Sequence, residues 1–380
     1  MRRLLVPLLG IAIALLTAAP ALALPTTVDT STLHLNGRVR SVVRVGGLTW
    51  VGGKFTEVQA DNGSVVANVH NVAVFNSSGG SVDIAPDLPD GEVWDMDLSG
   101  GDVVIGGKFA INTSQKNLVK VNGSTGGSAV WFQGAPIAKA VEVASNGRVY
   151  AGGTTLAAWS LTGTKIFAGK TKVTIDPSLR AHTAVPAYRD LLFDGSALWA
   201  ACHCDTAGGS PSKAFIKLDA DGNRLAFEPQ GAGEAALGIA VTTDGSGLYL
   251  GAGGSDFVAK YSFTGSQIWK RDTSGSTQAV GFMEGNLVIG GHFVEVADAV
   301  GDSCGFRSSD PGTLDPNNQC QTRKYLAAYS TSGVLQGWSV AVTGAFNGVW
   351  SLRPEGSQLY FGGEFKKVDG IPARYYAHLT

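Results

Sequence analysis

The amino-acid sequence predicts an all-β chain: a seven-bladed β-propeller, four antiparallel strands per blade, closed by an N-terminal strand that completes the last blade. Three observations predict it. First, the stretch Trp50-Val51-Gly52-Gly53-Lys54-Phe55-Thr56-Glu57-Val58 returns around Gly106-Gly107, Gly152-Gly153, Gly290-Gly291 and Gly362-Gly363. Weaker copies at Trp199-Ala200-Ala201-Cys202 and Tyr249-Leu250-Gly251-Ala252 fill the gaps, so the first small residue falls at 52, 106, 152, 201, 251, 290 and 362. A recurrence every 50 or so residues marks a propeller or solenoid array, which can form one large domain. Second, short apolar runs alternate with turns about every 10 to 12 residues, the pattern of antiparallel β structure. Third, the last repeat stops after Tyr375-Tyr376-Ala377-His378-Leu379-Thr380, one strand short.

Within each repeat a Val-rich strand leads by a short turn to the aromatic-apolar-Gly-Gly strand. A loop then leads to a strand such as Val72-Ala73-Val74-Phe75, and a Gly turn to a fourth strand. The turns Asn76-Ser77-Ser78-Gly79-Gly80, Asn122-Gly123-Ser124-Thr125-Gly126 and Asp219-Ala220-Asp221-Gly222-Asn223 carry the Gly, Asn and Asp residues that tight hairpins use. At the other end, Val28-Asp29 precedes Gly37-Arg38-Val39 with the spacing that separates Val82-Asp83 from Gly91-Glu92-Val93. Residues 27–35 are therefore expected to supply the missing last strand, removing an open sheet edge. The glycine pairs are explained by close backbone approach near the propeller axis. A phosphate-cradling loop would need a following helix and a Gly-Lys-Ser/Thr ending, which the sequence lacks.

Composition sets limits on function. Hydrophobic residues make up 44% and charged residues 16%, with 52 glycines, which suits a packed β protein and excludes a disordered chain. A formal net charge of -2 without basic clusters argues against nucleic acid as a partner. Arg2 and Arg3 precede the apolar run from Leu4 to Leu16, and Ala21-Leu22-Ala23 supplies the small residues of a cleavage site. Residues 1–23 are read as a signal peptide cleaved after Ala23, leaving residues 24–380 as a monomeric propeller, secreted or held at the cell surface. A membrane anchor is disfavoured by the short apolar length and by Pro7, Gly10 and Pro20.

Four cysteines in an exported chain point to disulfides. Cys304 and Cys320 bracket a polar insertion at 297–323 and are expected to pair; the insertion is either a recognition loop or a silent one. Cys202 and Cys204 stand two apart on a strand, so both sulfurs share a face. They can form a disulfide with each other, serve as separate structural cysteines or partners of the 304–320 loop, or contribute to a metal site. The last needs further ligands that are not near in sequence.

The sequence core Trp/Tyr-Val-Gly-Gly-Lys-Phe-x-x-Val, followed by a Leu/Val-Ala-x-Tyr/Phe strand and a Ser-x-Gly turn, resembles the delta-60-type β-propeller repeats of secreted bacterial proteins. The likeness spans 28–380 and is most specific at 50–58, 104–109, 288–296 and 360–368. It implies a propeller of the WD40/YVTN-like group and an exported location, and carries no functional motif.

Counting back from the glycine pairs puts Ser41, Asp95, Asp190 and Ser351 at one equivalent position on the innermost strands, with Glu142 joining if one residue is dropped from its turn. Asp95, Glu142 and Asp190 would then line the channel, with Arg40 and Arg189 beside them. Converging carboxylates repel one another unless a cation or Arg neutralises them. The cluster is either a site for a cation or polar ligand or a hydrated lining with local salt bridges. No Gly-x-Ser-x-Gly elbow occurs and the six histidines are scattered, so no catalytic residue is assigned. The expected function is a non-catalytic binding module for an extracellular glycan or protein, without a cofactor. The competing class is an exported metal- or quinone-dependent oxidoreductase, or a lyase, working at the channel face.

Overall fold

The computed structural model describes residues 23–127, 129–176, 185–233, 236–299, 304, 320–344 and 348–380. Residues 1–22, the bulk of the expected signal peptide, and most of the 297–323 insertion, Asp302, Asp310 and Asp315 included, lie outside these. The described residues form β-strands, turns and loops, with no helix. None therefore forms a helix long and apolar enough to cross a membrane.

Seven sheets carry the repeat. Each begins with an innermost strand, in order Val39–Val45, Glu92–Ser99, Ala140–Val143, Ala187–Phe193, Leu237–Thr243, Thr277–Met283 and Gly348–Glu355. The second to fifth sheets have four strands in antiparallel order. In the first, sixth and seventh the fourth strand shrinks to a single bridge: Phe75 with Ser81, Tyr329 with Leu335, and Val28 with Leu379. The last of these comes from the opposite end of the chain. Thr27 N–H donates to the Thr380 carbonyl at 3.2 Å, Thr380 N–H to Thr27 at 2.9 Å, and Asp29 N–H to His378 at 2.9 Å. The expected strand over 27–35 is shorter than the sequence suggested. A turn follows in which Asp29 Oδ1 accepts from Ser31, and His34–Leu35 pairs instead with Glu57–Gln59. Burial explains the diversion: Leu35 and Val58 bury each other completely in the same apolar cluster.

The innermost strands pack side by side in chain order, and Val39–Val45 also packs against Gly348–Glu355. The core lies between sheets. Trp50 of the first sheet shares an apolar cluster with Val93 of the second, Val104 of the second with Val149 of the third, and Tyr150 of the third with Leu198 of the fourth. The same arrangement continues to Phe361 against Val288 and to Tyr360 against Val42. The recurring aromatic also carries a polar tip that reaches across: Trp50 Nε1 donates to the Gly123 carbonyl at 2.9 Å, and the Tyr150 hydroxyl to Ala220 at 2.9 Å. A buried Trp or Tyr needs such a partner, and here it is the outer turn of another sheet.

The glycine pairs follow from this packing. A Cβ on Gly52 would sit 2.5 Å from Val93 Cγ1, and one on Gly290 2.7 Å from Val349 Cγ1, both on the next sheet's innermost strand. Gly362 meets Val39 in the same way. The second glycine presses on its own sheet: a Cβ on Gly53 or Gly363 would strike the carbonyl of Arg38 or Gly348. At these glycines a Cβ would overlap its neighbours.

Candidate functional site: a cavity shared by the seven sheets

The innermost strands enclose a cavity of about 430 Å³ to which all seven sheets contribute lining residues. Its shape comes from a repeated irregularity. In six sheets the innermost strand carries an extra residue, a β-bulge, opposite the glycine pair: Arg40, Trp94, Arg189, Ile239, Gln278 and Trp350. A bulge re-aims a side chain that strict alternation would turn the other way, and all six side chains line the cavity. The third sheet lacks the bulge, and Lys139, just before its innermost strand, takes the seventh place.

Below this ring the register sets Ser41, Asp95, Ala140, Asp190, Ala240, Ala279 and Ser351 opposite the first small residue of each pair. Asp95 and Asp190 thus share a level with Ser41 and Ser351. Glu142 does not. Because the third sheet has no bulge, Ala140 holds the equivalent position, and Glu142 faces Tyr150 two residues further along. That is the level of Asp97, which faces Val104. The structure therefore puts Glu142 at the level of Asp97, a residue the sequence reading passed over, and the Asp97 charge adds to burial in raising the Glu142 carboxyl.

Hydrogen bonding shows what these carboxylates do. Asp95 Oδ2 accepts from Val141 N–H at 2.8 Å, on the next sheet, and Oδ1 from Met96 N–H at 2.8 Å. Asp190 accepts from Val241 N–H of the fifth sheet at 2.8 Å and from Leu191 at 2.9 Å. Asp97 accepts from Val143 at 2.6 Å and Glu142 from Phe193 at 2.9 Å. Ser351 and Ser41 accept in the same sense from Val42 and Met96, both at 3.0 Å. Each polar side chain stitches its own innermost strand to the next. Burial lifts the Asp190 carboxyl from 3.8 to about 7 despite these donors, and burial with the Asp190 charge lifts Asp95 well above its ordinary value. Burial and then Asp97 do the same to Glu142. Among the described residues no three His, Cys, Asp or Glu side chains converge as a metal-binding group.

The upper ring has the opposite sign. Arg38 grips Glu92 with Nε and Nη2 at 2.9 and 3.0 Å, and Arg40 Nε reaches the same carboxylate at 2.7 Å. Burial opposes ionisation of Glu92, but the two guanidinium groups hold its pKa below the ordinary value. Arg40 lies over Trp350 at 3.2 Å and Trp94 at 4.6 Å from the ring centroids. Burial pushes Arg40 down to about 9, still charged at neutral pH. Lys139 Nζ and the Arg189 guanidinium stand 5.0 and 5.5 Å from the same Trp94 ring.

The cysteines lie at disulfide distance in two pairs, Cys202 with Cys204 and Cys304 with Cys320, with Cα atoms 5.3 and 5.9 Å apart. Two such pairs are consistent with an extracellular protein. His203, between the first two, lines the cavity. The variable residue after the glycine pair, as the sequence pattern suggests, is expected to face outward. Lys54 and Lys108 do, whereas His292 is half-buried with Nδ1 3.4 Å from Gln278 Nε2.

The chain has the fold of the β-propellers, a class defined by sheets of this kind set around a shared channel. It is similar to the WD40 β-propeller domain of Doa1, at 11% identity over 93% of this chain and 96% of that one, with a TM-score of 0.55. It is also similar to virginiamycin B lyase from Staphylococcus aureus, at 10% identity, 91% and 97% coverage and a TM-score of 0.57. The computationally designed Ika8 protein matches at 13% identity, 92% of each chain and a TM-score of 0.53. No family model and no curated protein matches the sequence. At such identities the likeness concerns fold alone, since interaction domains and a lyase share it.

Proposed function

We propose that the chain is an exported, monomeric, seven-bladed propeller of the delta-60 type that binds a ligand in its central cavity without transforming it. The pairing of residues 27–29 with the C-terminal strand supports ring closure, and the two cysteine pairs support a location outside the cytoplasm. One observation carries the binding reading: the three carboxylates that line the cavity, Asp95, Asp97 and Asp190, are each committed to backbone N–H donors of adjoining strands, Glu142 outside the lining is bonded in the same way, and the mouth above them is cationic and aromatic. General acid–base chemistry needs a carboxyl group within reach of a bound substrate; these are spent on joining sheets. Recognition of a small or terminal group of an extracellular glycan or protein needs a shaped cavity with a few convergent polar groups, and about 430 Å³ falls in the usual range for such sites.

The test is ligand fate. Purified residues 24–380 are screened by thermal shift against uronate and neutral oligosaccharides and short peptides, and every stabilising ligand is re-examined after prolonged incubation. Recovery of the ligand unchanged supports a binding module. Consumption of the ligand, abolished in Asp95→Asn, would replace it with the lyase or oxidoreductase reading.

A further inference from the structure

Resting on that binding reading, the geometry points to an oxyanion subsite at the cavity mouth, formed by Lys139 and Arg189 over Trp94, that takes the carboxylate of a small organic acid such as a uronic acid unit. The mouth gathers Arg38, Arg40, Lys139 and Arg189, and their acidic counterpart is Glu92. That carboxylate is fully used: one oxygen takes Arg38 Nε and Arg40 Nε, the other Arg38 Nη2. Arg40 is further fixed between Trp94 and Trp350.

Lys139 and Arg189 are different. Among the described residues neither has a carboxylate within ion-pair distance, and both rest on the Trp94 indole. The nearest acids in sequence to Arg189 and Trp94, Asp190 and Asp95, turn both oxygens to backbone N–H groups instead. Lys139 and Arg189 share this ring with Arg40, and the like charges repel; burial first and then the neighbouring Arg189 and Arg40 charges lower the Lys139 pKa. An anion between them removes that repulsion and gains charge-assisted hydrogen bonds. Arg189 offers the planar fork that matches a carboxylate.

The class of ligand follows from the rest of the lining. Ile239 gives an apolar wall beside the two indoles on which the cations sit, and Gln278 gives a neutral hydrogen-bonding group. Asp95 and Asp190 lie deeper, so negative charge is admitted at the mouth and opposed below it. A single ring carrying one carboxylate fits this order of charges; a polyanion running through the channel does not.

The experiment measures binding to purified residues 24–380 by calorimetry at low and at physiological ionic strength, with D-glucuronate, its neutral counterpart D-glucose, and inorganic phosphate as probes. The variants are Lys139→Gln, Arg189→Gln and, as an exposed surface control, Lys54→Gln, each checked for folding by circular dichroism and melting temperature. Glucuronate is expected to bind more weakly as salt rises, glucose to bind at least tenfold more weakly, and each mouth variant to lose about tenfold in affinity, the cost of one charge-assisted bond. Lys54→Gln is expected to match the parent. Should one mouth variant fail to fold, the other decides. Glucuronate bound equally well by a folded mouth variant overturns the subsite while leaving a binding propeller in place. Phosphate bound in preference to glucuronate overturns the carboxylate assignment. No binding of any probe overturns the subsite, and the binding reading then stands or falls on the neutral-sugar and peptide screen above.

Discussion

Asp190 offers the sharpest test of the idea that the cavity carboxylates are structural. Its oxygens accept from Leu191 and Val241, so its ionised form ties the fourth sheet to the fifth, yet burial raises its pKa from 3.8 to about 7. A carboxyl whose folded pKa is raised takes up a proton in the folded state before the unfolded chain does. Its contribution to stability is therefore fully present below about pH 4 and is lost as pH rises through about 7. Each unit of pH inside that window is worth up to about 1.4 kcal/mol, so the whole passage is worth about 4 kcal/mol at most. Asp194 and Asp219 are lowered on balance, against burial, by hydrogen bonds, and act oppositely at lower pH. His34, His292 and His378, lowered chiefly by burial, oppose the slope inside the window, so the difference between parent and variant is what reads Asp190. Urea unfolding followed by tryptophan fluorescence from pH 4.5 to 8 would read the slope directly. The parent is expected to lose stability towards pH 8. Asp190→Asn has no titrating group there and is expected to lose much of that slope, while being less stable by about 1–3 kcal/mol at acid pH for the displaced acceptor. Identical pH slopes in parent and variant would refute the argument.

Three other outcomes follow from the packing. Deleting residues 24–33 removes the strand beside Tyr376–Leu379 and the Pro25 carbonyl that accepts from Trp338 Nε1 at 2.7 Å; the melting transition is expected to fall or broaden, and an unshifted cooperative transition would sink the closure proposal. Gly362→Ala places a methyl group against Val39 of the first sheet and is expected to cost about 1–3 kcal/mol in calorimetry, whereas Gly47→Ala, at an open turn position without a positive φ, is expected to cost less than about 1 kcal/mol. Peptide mapping without reduction is expected to link Cys304 to Cys320 and Cys202 to Cys204; a major crossed pairing would show that the cysteines are assigned wrongly.

The sequence made the repeat legible because the glycine pair is forced by contact: Gly52 against Val93 and Gly362 against Val39 leave no room for substitution. It made the Ser41, Asp95, Asp190 and Ser351 level legible because those residues lie a fixed count from the pair. The mouth was less legible. Arg40 and Arg189 could be named as neighbours of the acids, but Trp94 and Trp350 stand one residue off the facing position and reach the cavity only through the bulge. The third repeat misled the count in the other direction, since without a bulge its Glu142 lands at the Asp97 level. A bulge is a one-residue insertion opposite small residues, and hydrophobic alternation alone does not announce it.

The two rings of charge also explain each other. Carboxylates at the neck give the strands side-chain acceptors for N–H groups that face another sheet rather than a ladder partner, which buried backbone donors require. Burial is the main cause of the raised pKa values of Asp95, Asp97, Glu142 and Asp190, and neighbouring carboxylates add a like-charge penalty at Asp95, Glu142 and Asp190. Arg353, from the seventh sheet and at the same level, eases the strain at Asp97. From above, Arg40 is already held by Glu92, which leaves Lys139 and Arg189 as the cations without an acid partner among the described residues. If those two served only to neutralise the neck, replacing either by Gln would raise the carboxyl pKa values further and leave glucuronate binding untouched. If they form a ligand site, the same replacement changes affinity first. Measuring the pH slope of stability and glucuronate affinity on the same Arg189→Gln protein separates the two roles.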